Sequence, residues 1–372
     1  MGLRPVLIPL DEYPVHQTPL PMDRVATSDR NFYDRCYFNM HDQSGEIFLV
    51  TGLGVYPNLG VIDAYATARC GDRQWSVRFS DALGCRGLEQ QVGGYRIEVV
   101  EPLRELLLRC QSPAGDLDFD LHWTAAFPAV QEEPHLLLAG NRPILDASRF
   151  CQMGRWSGRL RVGGREFAVS PGQWAGARDR SWGIRPIGEP EPLGRAASES
   201  MQGFWWLYAP LQFESCAVIV ILQENPDGYR TVNDAKRIWK DGRLEQLGWP
   251  RADIRYRAGT RHPEAARIHL ADRAGNPLTV EVETLTSVPL HVGAGYSGDP
   301  DWSHGRWMGR EWTTSAVYDL ADPAVAGRIP FGVIDHLARA RLGDGEGWGL
   351  FEHASMGRHD PTGFADWSSV AP

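Results

Sequence analysis

Residues 154–186 read GRWSGRLRVGGREFAVSPGQWAGARDRSWGIRP, and the fold turns on this stretch. Arg159, Arg161 and Arg165 alternate with Leu160, Val162 and Phe167 about the pair Gly163-Gly164. A period of two on both sides of a Gly-Gly pair predicts a β-hairpin, because strand side chains alternate faces and glycine accepts the turn's positive φ. The stretch then delivers Arg178-Asp179-Arg180-Ser181-Trp182-Gly183, with Arg185 just beyond. Three arginines, a carboxylate and an indole thus fall within eight residues. Guanidinium pairs with carboxylate in a planar fork and stacks on aromatic faces. Burying such a cluster demands that its charges be paired. Two readings follow: a structural ion-pair knot at a sheet corner, or the polar floor of an apolar pocket.

Working outward, the same short-strand pattern recurs on both sides. Strands are predicted at Glu46–Gly52, Val61–Arg69, Trp75–Phe79, Tyr95–Val100, Glu105–Gln111 and Leu117–Ala126. Further on, Phe204–Tyr208 carries aromatics on both faces, and Cys216–Leu222 is a β-branched run suited to a strand buried on both sides. Hairpins are predicted about Asp241-Gly242 and Gly275-Asn276, and a last strand block at Trp307–Leu320. Many short strands at this spacing indicate barrels or sandwiches. One helix is predicted over Pro323–Leu342, where Val325, Ile329, Val333, Ile334 and Leu337 keep near-helical spacing about Pro330. Residues 1–30, with Pro14, Pro19 and Pro21, read as an extended arm, and Gly188–Ala197 as an exposed loop. The irregular, proline-bearing stretch 127–150 suggests a boundary, giving an arm at 1–30, a first domain at 31–145, a second at 146–355 and a tail at 356–372.

The 372 residues carry 38 basic and 47 acidic side chains, a net charge of −9, which argues against a nucleic-acid partner. The six cysteines form no CxxC and sit at no zinc spacing, so reduced thiols and no metal site are expected. Gly52-Leu53-Gly54 lacks the third glycine of a dinucleotide fingerprint, and no cofactor is expected. No apolar run reaches the length of a membrane span, and the apolar run at the start is broken by Pro5 and Pro9, so neither a span nor a secretory leader is expected. A cytoplasmic location is the default that follows. The 14 tryptophans suit barrel cores or the lining of an apolar cavity.

Arg178-Asp179-Arg180-Ser181-Trp182-Gly183, preceded by Gly154-Arg155-Trp156-Ser157-Gly158, resembles the signature of the AttH-like superfamily, which includes the bacterial carotenoid 1,2-hydratases (hydroxyneurosporene synthases). The resemblance spans roughly residues 30–355 and implies two lipocalin-like antiparallel β-barrels in tandem. Where the hydratases carry His-x-Trp-Gly, this chain carries Arg180-Ser181-Trp182-Gly183. Where they place an acidic residue shortly after a tyrosine, Tyr208 is followed by Ala209-Pro210. These departures set the chain apart from carotenoid hydration itself.

Asp179 is the first catalytic candidate; the arginines beside it in sequence would keep it ionised, as a base or a cation-stabilising carboxylate. Trp182 would stabilise a carbocation through its face. Arg180 and Arg185, with Arg178, would hold a carbonyl or carboxylate, while Trp205, Trp206 and Tyr208 would shape the pocket. Asp234 is a second catalytic candidate, or else a turn residue ahead of a strand. Glu311, between Arg310 and Trp312, is a candidate for acid–base work or substrate binding, and His291 and Tyr296, with His304 in the same glycine-rich region, are candidates for a substrate-binding cavity mouth. Glu352 and His353, adjacent on a strand, would point to opposite faces and so act apart. The expected function is a cofactor-free enzyme of the lyase or isomerase class, carrying out hydration–dehydration, isomerisation or cyclisation. Its substrate would be hydrophobic: terpenoid, steroid or polyketide-like. The alternatives are a lipid or terpenoid carrier without chemistry, and a scaffold whose interior is filled with side chains.

Overall fold

The computed structural model describes residues 18–85, 88–139, 142–187, 202–296 and 298–372. The loop expected at Gly188–Ala197 and the first 17 residues of the expected arm lie outside these. Strands β1 to β8 run over Phe32–His41, Ile47–Tyr56, Val61–Cys70, Arg73–Ala82, Gln90–Val92, Tyr95–Glu101, Glu105–Cys110 and Leu117–Ala125. Strands β9 to β13 follow at Val130–Gln131, His135–Ala139, Arg142–Val162, Arg165–Val169 and Ala175–Ile184. Strands β14 to β20 occupy Gly203–Phe213, Cys216–Glu224, Arg230–Trp239, Leu244–Gln246, Gly248–Tyr256, Pro263–Ala271 and Pro277–Pro289. Strands β21 to β23 close the set at Trp312–Asp319, Ile334–Leu342 and Gly345–Gly357.

These strands make two antiparallel sheets, as tandem lipocalin-like barrels require. The first runs β21-β4-β3-β2-β1-β13-β11-β8-β7-β6-β5, with β9, β10 and β12 attached to β11. The second runs β17-β16-β15-β14-β23-β22-β20-β19-β18. Each curls around its own apolar core. Phe38, Phe79, Leu108, Trp123 and Trp156 fill the first, and Leu207, Val218, Ile268, Val280 and Phe351 the second. A third apolar cluster lies between them, where Tyr37, Tyr65, Trp206, Tyr208, Ile219 and Leu337 from the outer faces meet. This seam explains why β15 is buried at every position: one face lies on the second core and the other on the first sheet. Strand β8 lacks such cover, and its burial alternates.

The expected hairpin about Gly163-Gly164 is present as β11–β12, with both glycines at positive φ (56° and 82°). Two expectations need correction. The long helix over Pro323–Leu342 is instead one turn at Pro323–Ala326, a 3₁₀ turn at Ile329–Phe331, and strand β22. Pro330 and Gly332 end the helical path, and Ile334–Leu342 then buries its chain between β20 and β23. The boundary expected at 145/146 falls inside β11, which hydrogen-bonds to β8 and β13 of the first sheet. The proline-bearing stretch forms short strands docked on β11, so the chain passes between sheets after Ile184 and before Gly203. It returns to the first sheet once, for β21, which pairs with β4. The segment 290–311 that makes this return is laid across the seam.

Candidate active site

Strand alternation decides which side chains reach the seam. On β1 the even positions Cys36, Phe38 and Met40 fill the first core, so Arg35 and Tyr37 face outward to the second sheet. Asp179 on β13 lies directly across from Tyr37 and shares its face, with Cys151 on its other side. From the second sheet, Tyr208 pairs with Glu352, and Glu352 with Asp335, so these three share the opposing face.

The two faces meet through polar groups in an otherwise apolar contact. The Tyr37 hydroxyl donates to Asp335 Oδ2. Trp206 Nε1 donates to Glu352 Oε1 at 2.5 Å. Burial, then the neighbouring Glu352, pushes the Asp335 carboxyl well above the usual carboxylate range. Asp335 Oδ1 is buried and has no donor among the described residues. It faces Glu352, and two acceptors face each other stably only with a proton between them. Asp335 therefore holds a proton on the side that faces Glu352. Burial also holds Tyr37 in its neutral, donating form, with Asp335 reinforcing the effect.

Asp179 has no hydrogen-bond partner among the described residues and keeps accessible surface although protein surrounds it, so it lines a space within the seam. Burial pushes its carboxyl up to about 7, while Arg149 pulls in the other direction. The sequence neighbours expected to keep it ionised do not face it. Arg178 and Arg180 point to the opposite face of β13, into the first barrel, and desolvation prevails at Asp179. Arg149 reaches the seam from β11, bonds Glu132, and lies 4.5 Å from the Tyr208 ring centroid. The buried Tyr208 hydroxyl lies beside Glu132 and Cys151.

The other sequence candidates divide clearly. Trp206, Tyr208 and Tyr296 join Asp179 at the seam. Arg185 lies at its rim, 5.6 Å from the ring of Tyr33. Asp234 is in the middle of β16, not in a turn, and is held by Lys236 Nζ and Gln246 Nε2, both at 2.8 Å. Arg180 is tied to Asp34 at 2.9 Å and to Gln90 at 3.1 Å. Arg178 bonds Gln152 at 2.8 Å, and Trp182 is 37% exposed on that same side. Trp205 faces the second core beside His353. His291 bonds the Arg328 carbonyl at 2.8 Å, and Glu311 is exposed where β21 begins. Glu352 and His353 do point to opposite faces, His353 bonding the Trp206 carbonyl at 2.7 Å. Tyr37, Arg35, Arg149 and Asp335 escape sequence reading. For Asp335, the signal is an acid at an otherwise apolar strand position, which the helical reading conceals.

Comparisons with known proteins agree with this architecture. An AttH-like protein of Nitrosomonas europaea superposes with a TM-score of 0.52 at 13% identity, covering 92% of this chain and 98% of that one. CghA, solved with Sch210972, gives 0.52 at 12% identity, covering 88% and 89%. Kievitone hydratase of Nectria haematococca gives 0.49 at 12% identity, covering 90% of each chain. The likeness to the first two is one of fold. No curated protein matches its sequence. One family model, described as a family of unknown function (DUF8625), matches residues 7–365.

Proposed function

The chain belongs to that family of unknown function, and we propose that it is a cofactor-independent lyase or isomerase whose reaction takes place in the seam between its barrels. The observation that carries this reading is the set of three carboxyls there. Asp335 holds its proton toward Glu352, and Asp179, raised to about 7, lies across from Tyr37. A carboxyl that keeps its proton at neutral pH is a general acid, and one with a pKa near the working pH can serve as either acid or base. The Asp335 proton passes to a double bond or carbonyl oxygen of the substrate. Trp206 and Tyr37, already donating to the pair, stabilise the charge left behind. Asp179, in its ionised form, removes a proton from the substrate or from an adding water. The protons given and taken balance, so isomerisation, hydration–dehydration or cyclisation can proceed with these groups alone. Trp206, Tyr208 and Tyr296 offer apolar surface to a hydrophobic body of terpenoid, steroid or polyketide type.

The test begins with native mass spectrometry of the purified protein and extraction of any captured ligand. That ligand is then incubated with wild type, Asp179→Asn and Glu352→Gln. Conversion by wild type that falls at least about a hundredfold in either variant supports the reading, since positioned proton transfer contributes on that order. A ligand returned unchanged by wild type, and bound equally by both variants, leaves a carrier instead.

A further inference from the structure

A buried arginine stands beside the carboxyls. Arg35 is 5% exposed, yet among the described residues it forms no ion pair and no hydrogen bond. Its guanidinium carbon lies 4.8 Å from the ring centroid of Tyr296 and 5.9 Å from that of Tyr33. Tyr56 and Tyr65 complete the aromatic surround. Guanidinium cannot shed its charge in a protein, so the cost of burying it unpaired stands undiminished. The two nearest acids do not answer it. Asp63 is engaged by the Tyr56 hydroxyl at 3.1 Å and the Gly305 amide at 2.7 Å. Asp179 bonds to nothing among the described residues, Arg35 included.

The surroundings add positive character. Across the strands from Arg35 stand Ser181 and Gly54, the latter covered by the Tyr56 ring. Arg185 approaches Tyr33 from the rim, likewise without an acidic partner among the described residues. His304 is buried and held neutral by desolvation, and among the described residues neither ring nitrogen has a hydrogen-bond partner, its Nδ1 lying 3.7 Å from Asp63. Unsatisfied donors that converge beside an accessible space describe a cradle for an anion. We propose that the Tyr33–Arg35–Tyr296 cage binds the anionic oxygens of the substrate, so that this protein acts on an organic acid, a carboxylate or enolate, attached to an apolar body. The fork of Arg35 takes both oxygens of a carboxylate, or the two conjugated oxygens of an enolate, in one plane. The inference rests on the seam being the ligand site, as in the proposed function, and adds the charge of the ligand.

The experiment compares 1-naphthoate with its neutral isostere 1-naphthamide, by titration calorimetry and by thermal melting, in wild type, Arg35→Met, Arg35→Lys and Glu352→Gln. Wild type is expected to bind naphthoate at least about tenfold more tightly than the amide, as a charge-assisted bond implies. Arg35→Met removes the preference, and Arg35→Lys restores part of it. Ligand-free Arg35→Met melts at or above the wild-type temperature, because an unpaired buried charge has gone. Glu352→Gln keeps the preference, which separates anion binding from proton transfer: its activity can vanish while the naphthoate preference remains. Equal affinity of wild type for the two probes, or binding of neither, overturns the inference. So does an Arg35→Met protein that melts well below wild type and still discriminates between them.

Discussion

Asp335 receives a hydrogen bond from Tyr37 and stands against Glu352 in a buried setting that tolerates only one negative charge. If its carboxyl is the protonated member, asparagine is a close mimic, with an oxygen for Tyr37 and an N–H for Glu352. Asp335→Asn is therefore expected to change stability by no more than about 1 kcal/mol while abolishing turnover of the captured ligand. A loss above about 3 kcal/mol in denaturant unfolding would mean that an ionised Asp335 holds the fold. Asp179 shows what the sequence could and could not disclose. Its motif marks it as a site residue, but Arg178 and Arg180, adjacent in sequence, lie on the other face of β13. The groups that do set its charge state, Arg149 and Glu132, are brought to it only by folding.

At the level of elements, the crossing segment 290–311 carries Tyr296 and His304 to the seam, and Asp299 holds its path. Asp299 Oδ2 accepts from the amides of Gly293 at 2.8 Å and Gly295 at 3.1 Å, and Oδ1 from that of Asp301 at 3.0 Å. Gly295 sits at φ 77°, where a Cβ would run into the Trp302 indole, so the tight path requires glycine. Asp299→Ala strands these buried amides and is expected to lower stability by about 2 kcal/mol or more. The displaced Tyr296 should weaken 1-naphthoate binding in the same variant, read by calorimetry. Unchanged stability together with unchanged binding would show that Asp299 does not hold the segment. Hairpins such as β11–β12 and β19–β20 were legible because turn glycines and a period of two are local signals. Strand β22 was not, since Val333, Ile334 and Leu337 fit a helical spacing as well as a strand buried on both faces.

Across the whole molecule, the tandem-barrel class could be read from the strand pattern and the arginine–tryptophan motif, but the seam could not. Its central hydrogen bond joins residues 298 positions apart, and no local pattern encodes which outer faces will meet. Burial of titratable groups also shapes stability over the entire chain. Desolvation lowers His41, His135 and His262 to about 4, and His336 and His353 to about 3. Such groups favour the fold fully above their unfolded pKa of about 6.5 and lose that contribution as pH falls toward the folded value. Asp63 and Asp179, raised to about 7, act in the opposite sense, as do Asp335, Glu132 and Asp299, which burial also raises: their contribution is full below the unfolded carboxyl value of about 4 and is lost as pH rises. With His291 and His304 also lowered by burial, the histidines outnumber these acids, so stability should fall between pH 6.5 and 5. Denaturant unfolding across that range checks it, and a flat or rising profile would contradict it. The central claim, that the seam holds protons at neutral pH, is tested most directly by carbon-13 NMR titration of labelled aspartate carboxyls, with Asp179→Asn and Asp335→Asn supplying the assignments. The expected result is two aspartates with midpoints near 7, one of them lost in Asp179→Asn, and a third, lost in Asp335→Asn, that keeps its proton well above the usual carboxylate range. Complete ionisation of every aspartate by about pH 5, as ordinary carboxyls show, would contradict it.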